Sequence, residues 1–159
     1  EGDGGRIERV CPGAIVDMNI TDMANMGAAM APAAALTLKR FFDDTGSSPA
    51  DYDLILTGDL GAVGSSLLRE LLKTDGIRLG DAYADCGCMI FDPARQDVHS
   101  GGSGCGCIAS VLCGHILPEM IAGRWKRILA VGTGALMSPT SMMQGESVPG
   151  IAHLVELSR

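Results

Sequence analysis

Residues 52–57 read Tyr-Asp-Leu-Ile-Leu-Thr, Gly58-Asp59-Leu60-Gly61 follows at once, and leucines then recur at positions 67, 68, 71 and 72. A short unbroken apolar run bounded by turn residues marks a strand covered on both faces. Leucines three and four apart make the single apolar stripe of an amphipathic helix, with Arg69, Glu70 and Lys73 off the stripe toward solvent. A strand, a tight turn and a helix in immediate succession form the first half of a crossover unit, which commits the chain to a parallel sheet with helices packed on it. Two more runs of the same kind, at 127–132 and 151–157, supply further strands. A single domain of 159 residues, 47% hydrophobic and 19% charged, holds enough core for this without disulfide staples.

The remaining elements follow from periodicity and punctuation. A β-rich opening spans 6–17, and Ala33, Leu36, Leu38 and Phe42 predict a helix with Pro32 in its first turn, where the missing amide would be an orphan anyway. Gly46 and Pro49 stop that helix, and residues 88–91 predict a short strand before the Asp92-Pro93 turn. Residues 103–122 predict one central helix, apolar nearly all round, with Pro118 kinking it or tightening its last turn. The loop 133–150, with Met142-Met143, is irregular enough to cover a site or another chain. The expected architecture is a layered α/β domain, a mixed and mostly parallel sheet flanked by helices.

Charge and cysteine content narrow the function. A net charge of −7 without a Lys/Arg cluster argues against a nucleic-acid or anionic-membrane surface. No stretch approaches the roughly 18 uninterrupted apolar residues of a membrane span. The chain starts at Glu1 without a methionine, as an excised piece of a longer protein would. Cys86-Gly-Cys88 and Cys105-Gly-Cys107 invite a metal reading, but their spacing is not that of zinc ribbons, and packing as small hydrophobes is the expectation for all six thiols. No cofactor is expected.

The strongest chemical signal lies at 96–109, where His99-Ser100-Gly101-Gly102-Ser103-Gly104 opens onto a helical segment. Glycines let backbone amides approach a ligand, and the first amides of a helix sit at the positive end of its dipole, so the stretch reads as an anion-binding loop with His99 at its entrance. The plain alternative is a structural histidine and glycines that allow close packing. His115 and His153 read as structural, and Ala28 to Ala35 as a tight packing surface.

Met26-Gly27 with Pro32-Ala33, the Tyr52 strand, His99 before its Gly/Ser loop, and Gly123 with Lys126-Arg-Ile-Leu-Ala-Val-Gly-Thr-Gly134 together resemble the C-terminal half of the thiolase and ketoacyl synthase fold. More narrowly, residues 25–35, 52–61, 96–109, 132–139 and 144–153 resemble the stage V sporulation protein AD family. That resemblance implies a thiolase-like domain over 1–159 and a missing N-terminal half packed against it. It also implies binding of dipicolinic acid, pyridine-2,6-dicarboxylate, during uptake into the developing spore. His99 and the amides of Gly101, Gly102, Ser103 and Gly104 are the expected ligand contacts. Calcium is a candidate companion of the ligand, with Asp59, Asp85 or Asp97 assisting unless these serve as turn and cap residues. Further implied are membrane proteins of the same operon as partners and a peripheral position at the spore's inner membrane. Self-association through the face left open by the missing half is expected.

Of the condensing-enzyme groups this half would supply, the resemblance finds only His99. Gly132 or Thr133 stands where thiolases place a cysteine, and Gly58 or Asp59 where ketoacyl synthases place a histidine. A non-catalytic binding protein is therefore expected, with an acyltransferase or a scaffold for membrane partners as the other classes.

Overall fold

A computed structural model describes residues 5–159. In chain order the elements are β1 (Arg6–Cys11), α1 (Met26–Thr45), β2 (Leu54–Thr57), α2 (Gly61–Thr74), β3 (Tyr83–Asp85), α3 (Cys86–Met89) and α4 (Gly106–Val111). A π turn (Leu112–Ile116), α5 (Leu117–Ile121), β4 (Arg127–Ala135), α6 (Pro139–Met143) and β5 (Gly150–Ser158) complete the chain. The five strands form one sheet in the order β1-β5-β4-β2-β3. β2 pairs in parallel with β3 and β4, while β5 pairs antiparallel with β4 and β1. Four strands thus share a direction and β5 alone opposes them, giving the mixed, mostly parallel sheet flanked by helices, consistent with a thiolase-like layered domain.

Side-chain alternation along the strands creates two cores. Ile55, Leu129, Val131 and Leu154 face α1 and α2, whereas Leu54, Leu56, Ile128 and Leu157 face α4 and α5. All four residues of β2 are buried, as its unbroken apolar run requires. Each of these side chains contributes about 1.5–3 kcal/mol by leaving water, and truncating one to alanine costs about 2–5 kcal/mol once the cavity is counted. Phe41, Phe42 and Tyr52 close the first core, with ring centroids 6.1–6.2 Å apart. Cys86 and Cys107 pack inside the second as small hydrophobes, but Cys88, Cys105 and Cys113 are exposed, so that expectation does not hold for all six thiols. Burial pushes the Cys86 thiol up to about 12, which keeps it protonated and inert.

Several local expectations are corrected. Helix α1 begins at Met26, because the Asn25 side chain accepts from the Ala28 amide at 3.2 Å and caps it there. Pro32 therefore sits in the second turn rather than the first, and the helix runs through it because Ala29 to Ala31, Ala33 and Ala34 are all buried against their neighbours. Residues 88–91 form no strand: the Asp85 carboxylate accepts from the Cys88 amide and turns the chain into α3 as β3 ends. The segment 103–122 is not one uniform helix. Pro118 has no amide to donate, and just before it the ladder widens so that the Leu117 amide bonds Leu112 O, a π turn between α4 and α5. Only Cys107, Val111, Ile116 and Met120 of this stretch are buried, while Ser110, Cys113, Gly114 and Ile121 are exposed, so it is apolar on one face rather than all round. The opening strand stops at Cys11, with only the Val16–Gly150 bridge beyond it. Residues 133–135, expected in the loop, extend β4 and pair with 150–152 of β5. No described helix is long and apolar enough to cross a membrane.

Candidate functional site

The carboxyl end of β2, the first turn of α1 and the glycine loop after residue 97 enclose a hollow of about 430 Å³. Asn25, Met26 and Gly27 line it from α1, Asp59, Leu60 and Gly61 from the β2–α2 turn, and Val98 to Ser103 from the loop. The carboxyl edge of parallel strands is where open α/β sheets place ligands, since helix N-termini converge there. Neither α1 nor α2 carries an acidic residue in its first turn, but the Asp85 carboxylate takes the Leu60 and Gly61 amides at the start of α2, so only the positive end of α1 is left for the hollow.

The glycines set how closely the loop is clamped. The Ala62 amide donates to Ser100 O at 2.7 Å and the Gly102 amide to Gly87 O at 2.8 Å. A Cβ on Gly61 would lie 2.6 Å from Ser100 O, and one on Gly101 only 2.4 Å from Gly87 O, so neither close approach tolerates a side chain. His99 adopts a left-handed φ of 49° that presents its ring at the rim of the hollow. The ring is 91% exposed, and its Nε2 lies 4.0 Å from Asp97 Oδ1.

The loop amides are more occupied than an open anion cradle would be. Gly101 donates to Val98 O, Gly102 to Gly87 O and Gly104 to Asp59 Oδ2, leaving Ser103 alone of the four without an acceptor for its amide among the described residues. Asp59 is itself the anion seated on the loop. Its Oδ2 takes the Gly104 amide at 2.7 Å and its Oδ1 takes the Thr133 hydroxyl at 2.8 Å, while the Asp59 amide donates back to Thr133 Oγ1 at 3.0 Å. No lysine or arginine lines the hollow, so His99 is its one side chain able to become cationic.

Asp85 is buried beneath the hollow and does not line it. Its carboxylate accepts from the Thr57 hydroxyl at 2.6 Å and from the amides of Leu60, Gly61 and Cys88 at 3.0, 2.9 and 3.2 Å. Burial raises its pKa, and these four bonds offset that only in part. Tyr83, bonded to Thr57 Oγ1 at 2.8 Å and Ser65 Oγ at 3.1 Å, is pushed up to about 12, chiefly by burial.

The structure thus brings His99, Gly101, Gly102, Ser103 and Asp59 to one hollow, places Gly104 behind Asp59, and sets Asp85 below. Sequence reasoning did not find Asn25, Gly61 or Gly87. An Asn just ahead of a helical run is an N-cap signal that could have placed Asn25 at the start of α1. The close approaches of Gly61 and Gly87 carry no local signal. Elsewhere, His153 Nδ1 accepts from the Gly13 amide at 3.0 Å, and His115 stands edge-on to Trp125 at 6.2 Å.

Fold and site together define a layered α/β domain with a small-molecule-sized hollow at the carboxyl edge of its parallel strands, lined by a glycine loop, the start of α1 and the β2–α2 turn. The sequence profile of the stage V sporulation protein AD (SpoVAD) family matches residues 1–158. Stage V sporulation protein AD of Bacillus subtilis (strain 168) is 48% identical over 147 residues, which cover 92% of this chain and 43% of that protein. The chain belongs to the stage V sporulation protein AD family. It spans less than half the length of that curated relative.

Proposed function

We propose that this chain forms the C-terminal half of a sporulation protein that binds dipicolinic acid for uptake into the developing spore and performs no chemistry on it. The observation that carries this reading is the hollow of about 430 Å³ in which a histidine, a glycine loop and the acid-free N-terminus of α1 meet. Small-molecule sites fall between about 300 and 1,000 Å³, and one pyridine ring with two carboxylates is well within that range. The His99 ring, the Ser103 amide and the first turn of α1 are the donors for one carboxylate. Leu60 and Val63 supply apolar surface for the ring. Asp59 fills part of the loop's donor set, so the second carboxylate is met by calcium carried with the ligand or by the N-terminal half that packs against this one. The same reading places the protein peripherally at the spore's inner membrane, beside membrane proteins of its operon.

The absence of catalysis rests on residue chemistry. The resemblance would put a histidine at Gly58 or Asp59 and a cysteine at Gly132 or Thr133; no such side chain stands at any of the four, and Asp59 and Thr133 hydrogen-bond each other. A hydroxyl tied to a carboxylate that also clamps a loop is a fixture, and an Asp ordinarily ionised at neutral pH cannot replace an imidazole as proton donor.

Calorimetry on the full-length protein tests the reading. Wild-type protein binds dipicolinate, and His99→Ala weakens binding about tenfold or more, the loss of one charge-assisted hydrogen bond to a carboxylate. Gly102→Val also weakens it, because a Cβ there would sit 2.5 Å from Ile90 Cγ2 and displace the loop. Unchanged affinity in both variants sinks the assignment, and steady acyl-CoA turnover by wild-type protein would favour an acyltransferase instead.

A further inference from the structure

We infer that Asp85 is a positioning residue for the ligand hollow: one buried carboxylate fixes, from beneath, both supports of the loop that carries His99. This deepens the dipicolinate reading and rests on it for the identity of the ligand. The first support is the start of α2. Asp85 holds the amides of Leu60 and Gly61, Gly61 takes a φ of 64°, and the next amide, Ala62, donates to Ser100 O beside His99. The second is the start of α3. Asp85 holds the Cys88 amide, and Gly87, one residue earlier, accepts from the Gly102 amide.

Contact on either side is too close for slippage. Gly87 could not carry a Cβ, which would fall 2.5 Å from Gly102 O. Thr57 completes the node, giving its hydroxyl to Asp85 at the end of β2, so the sheet itself is the reference frame for the loop. Asp85 is 3% exposed and does not itself line the hollow, reaching it only through the Leu60 and Gly61 amides. A hydrophobic residue there would leave the Leu60, Gly61 and Cys88 amides with no acceptor, and the two supports would no longer share an anchor.

The test uses full-length protein with Asp85→Ala, Asp85→Asn and, as a control, Asp53→Ala. Asp53 performs similar work at the other end of β2, accepting from the amides of Lys126 and Arg127 at 2.7 and 2.9 Å, far along the strand from the hollow. Hydrogen-exchange mass spectrometry of peptides covering 60–64 and 98–104 is read beside dipicolinate calorimetry. Asp85→Ala is expected to speed exchange in both peptides at least tenfold and weaken dipicolinate at least tenfold. Asp85→Asn, which keeps one carbonyl acceptor, should show a smaller loss in both. Asp53→Ala should lower the melting temperature yet leave both readouts as in wild type.

Unchanged exchange in both peptides in Asp85→Asn overturns the inference, and that variant stands in if Asp85→Ala does not fold. Faster exchange with undiminished dipicolinate affinity also overturns it, since the loop would then not need its anchor to bind. If wild-type protein binds no dipicolinate, the ligand reading fails, and the exchange data alone decide whether Asp85 holds the loop.

Discussion

Asp85 surrenders the hydration of a carboxylate for four hydrogen bonds, and the balance falls short, so its pKa stands above the ordinary carboxylate value of 3.8. A folded-state pKa raised above the unfolded one means the native protein holds that proton more tightly than the unfolded chain. The associated stability is fully present below the unfolded value and is lost as pH rises through the folded one. Asp85→Asn, permanently neutral, lacks this dependence. The advantage of wild type over Asp85→Asn should therefore be larger at pH 4 than at pH 7, as read from urea midpoints of both proteins at both pH values. A gap that widens toward pH 7 would show the four bonds outweighing burial. At this scale the sequence was legible only where chemistry is local. Position 99, beside its glycines, announced itself. Asp59 and Asp85 read equally well as ligands or as caps, because what decides between them is the Thr133 hydroxyl 74 residues away and the Thr57 hydroxyl 28 residues away.

Helices α1 and α2 meet where both carry glycine. A Cβ on Gly64 would lie 2.8 Å from Gly27 Cα and 3.0 Å from Gly27 O, and one on Gly27 would lie 2.5 Å from Leu60 O. That contact fixes the separation of the two helix starts flanking the hollow, so helix packing and the width of the hollow share one dimension. Gly64→Ala should cost about 1–3 kcal/mol by forcing the helices apart. A melting temperature equal to or above that of wild type would mean the backbones give way freely. Strand β2 and the first half of β4 were readable because they are covered on both faces and therefore spelled in nearly unbroken apolar residues, whereas the short β3, Tyr83–Asp85, carries no such run and was not foreseen. The failures lie where one residue overrides a pattern. Asn25 starts α1 upstream of its apolar stripe, Pro118 forces a π turn into an otherwise regular period, and Asp85 converts a strand-like Cys88-Met-Ile-Phe91 into a helical turn.

Across the whole molecule the apolar surface is unevenly disposed. Edge strand β1 exposes Ile7 and Val10, the segment after it exposes Ile15 and Met18, and the outer face of α4 and α5 ends in an exposed Ile121. An unpaired strand edge with apolar side chains on it is a template for association, and Ile7, Val10, Ile15 and Met18 are all more than half exposed. The matching relative is more than twice as long as this chain, and a second half seated here would cover such a margin. Expressed alone, the chain should bind an apolar dye and sediment as larger species as its concentration rises, whereas full-length protein should do neither. The charge of −7 works against non-specific clumping, so association that persists at low salt points to apolar contact rather than charge neutralisation. A dye-silent chain that sediments as a monomer at every concentration would show that the exposed margin needs no cover, and with it the expectation of a second half packed on this face would fall.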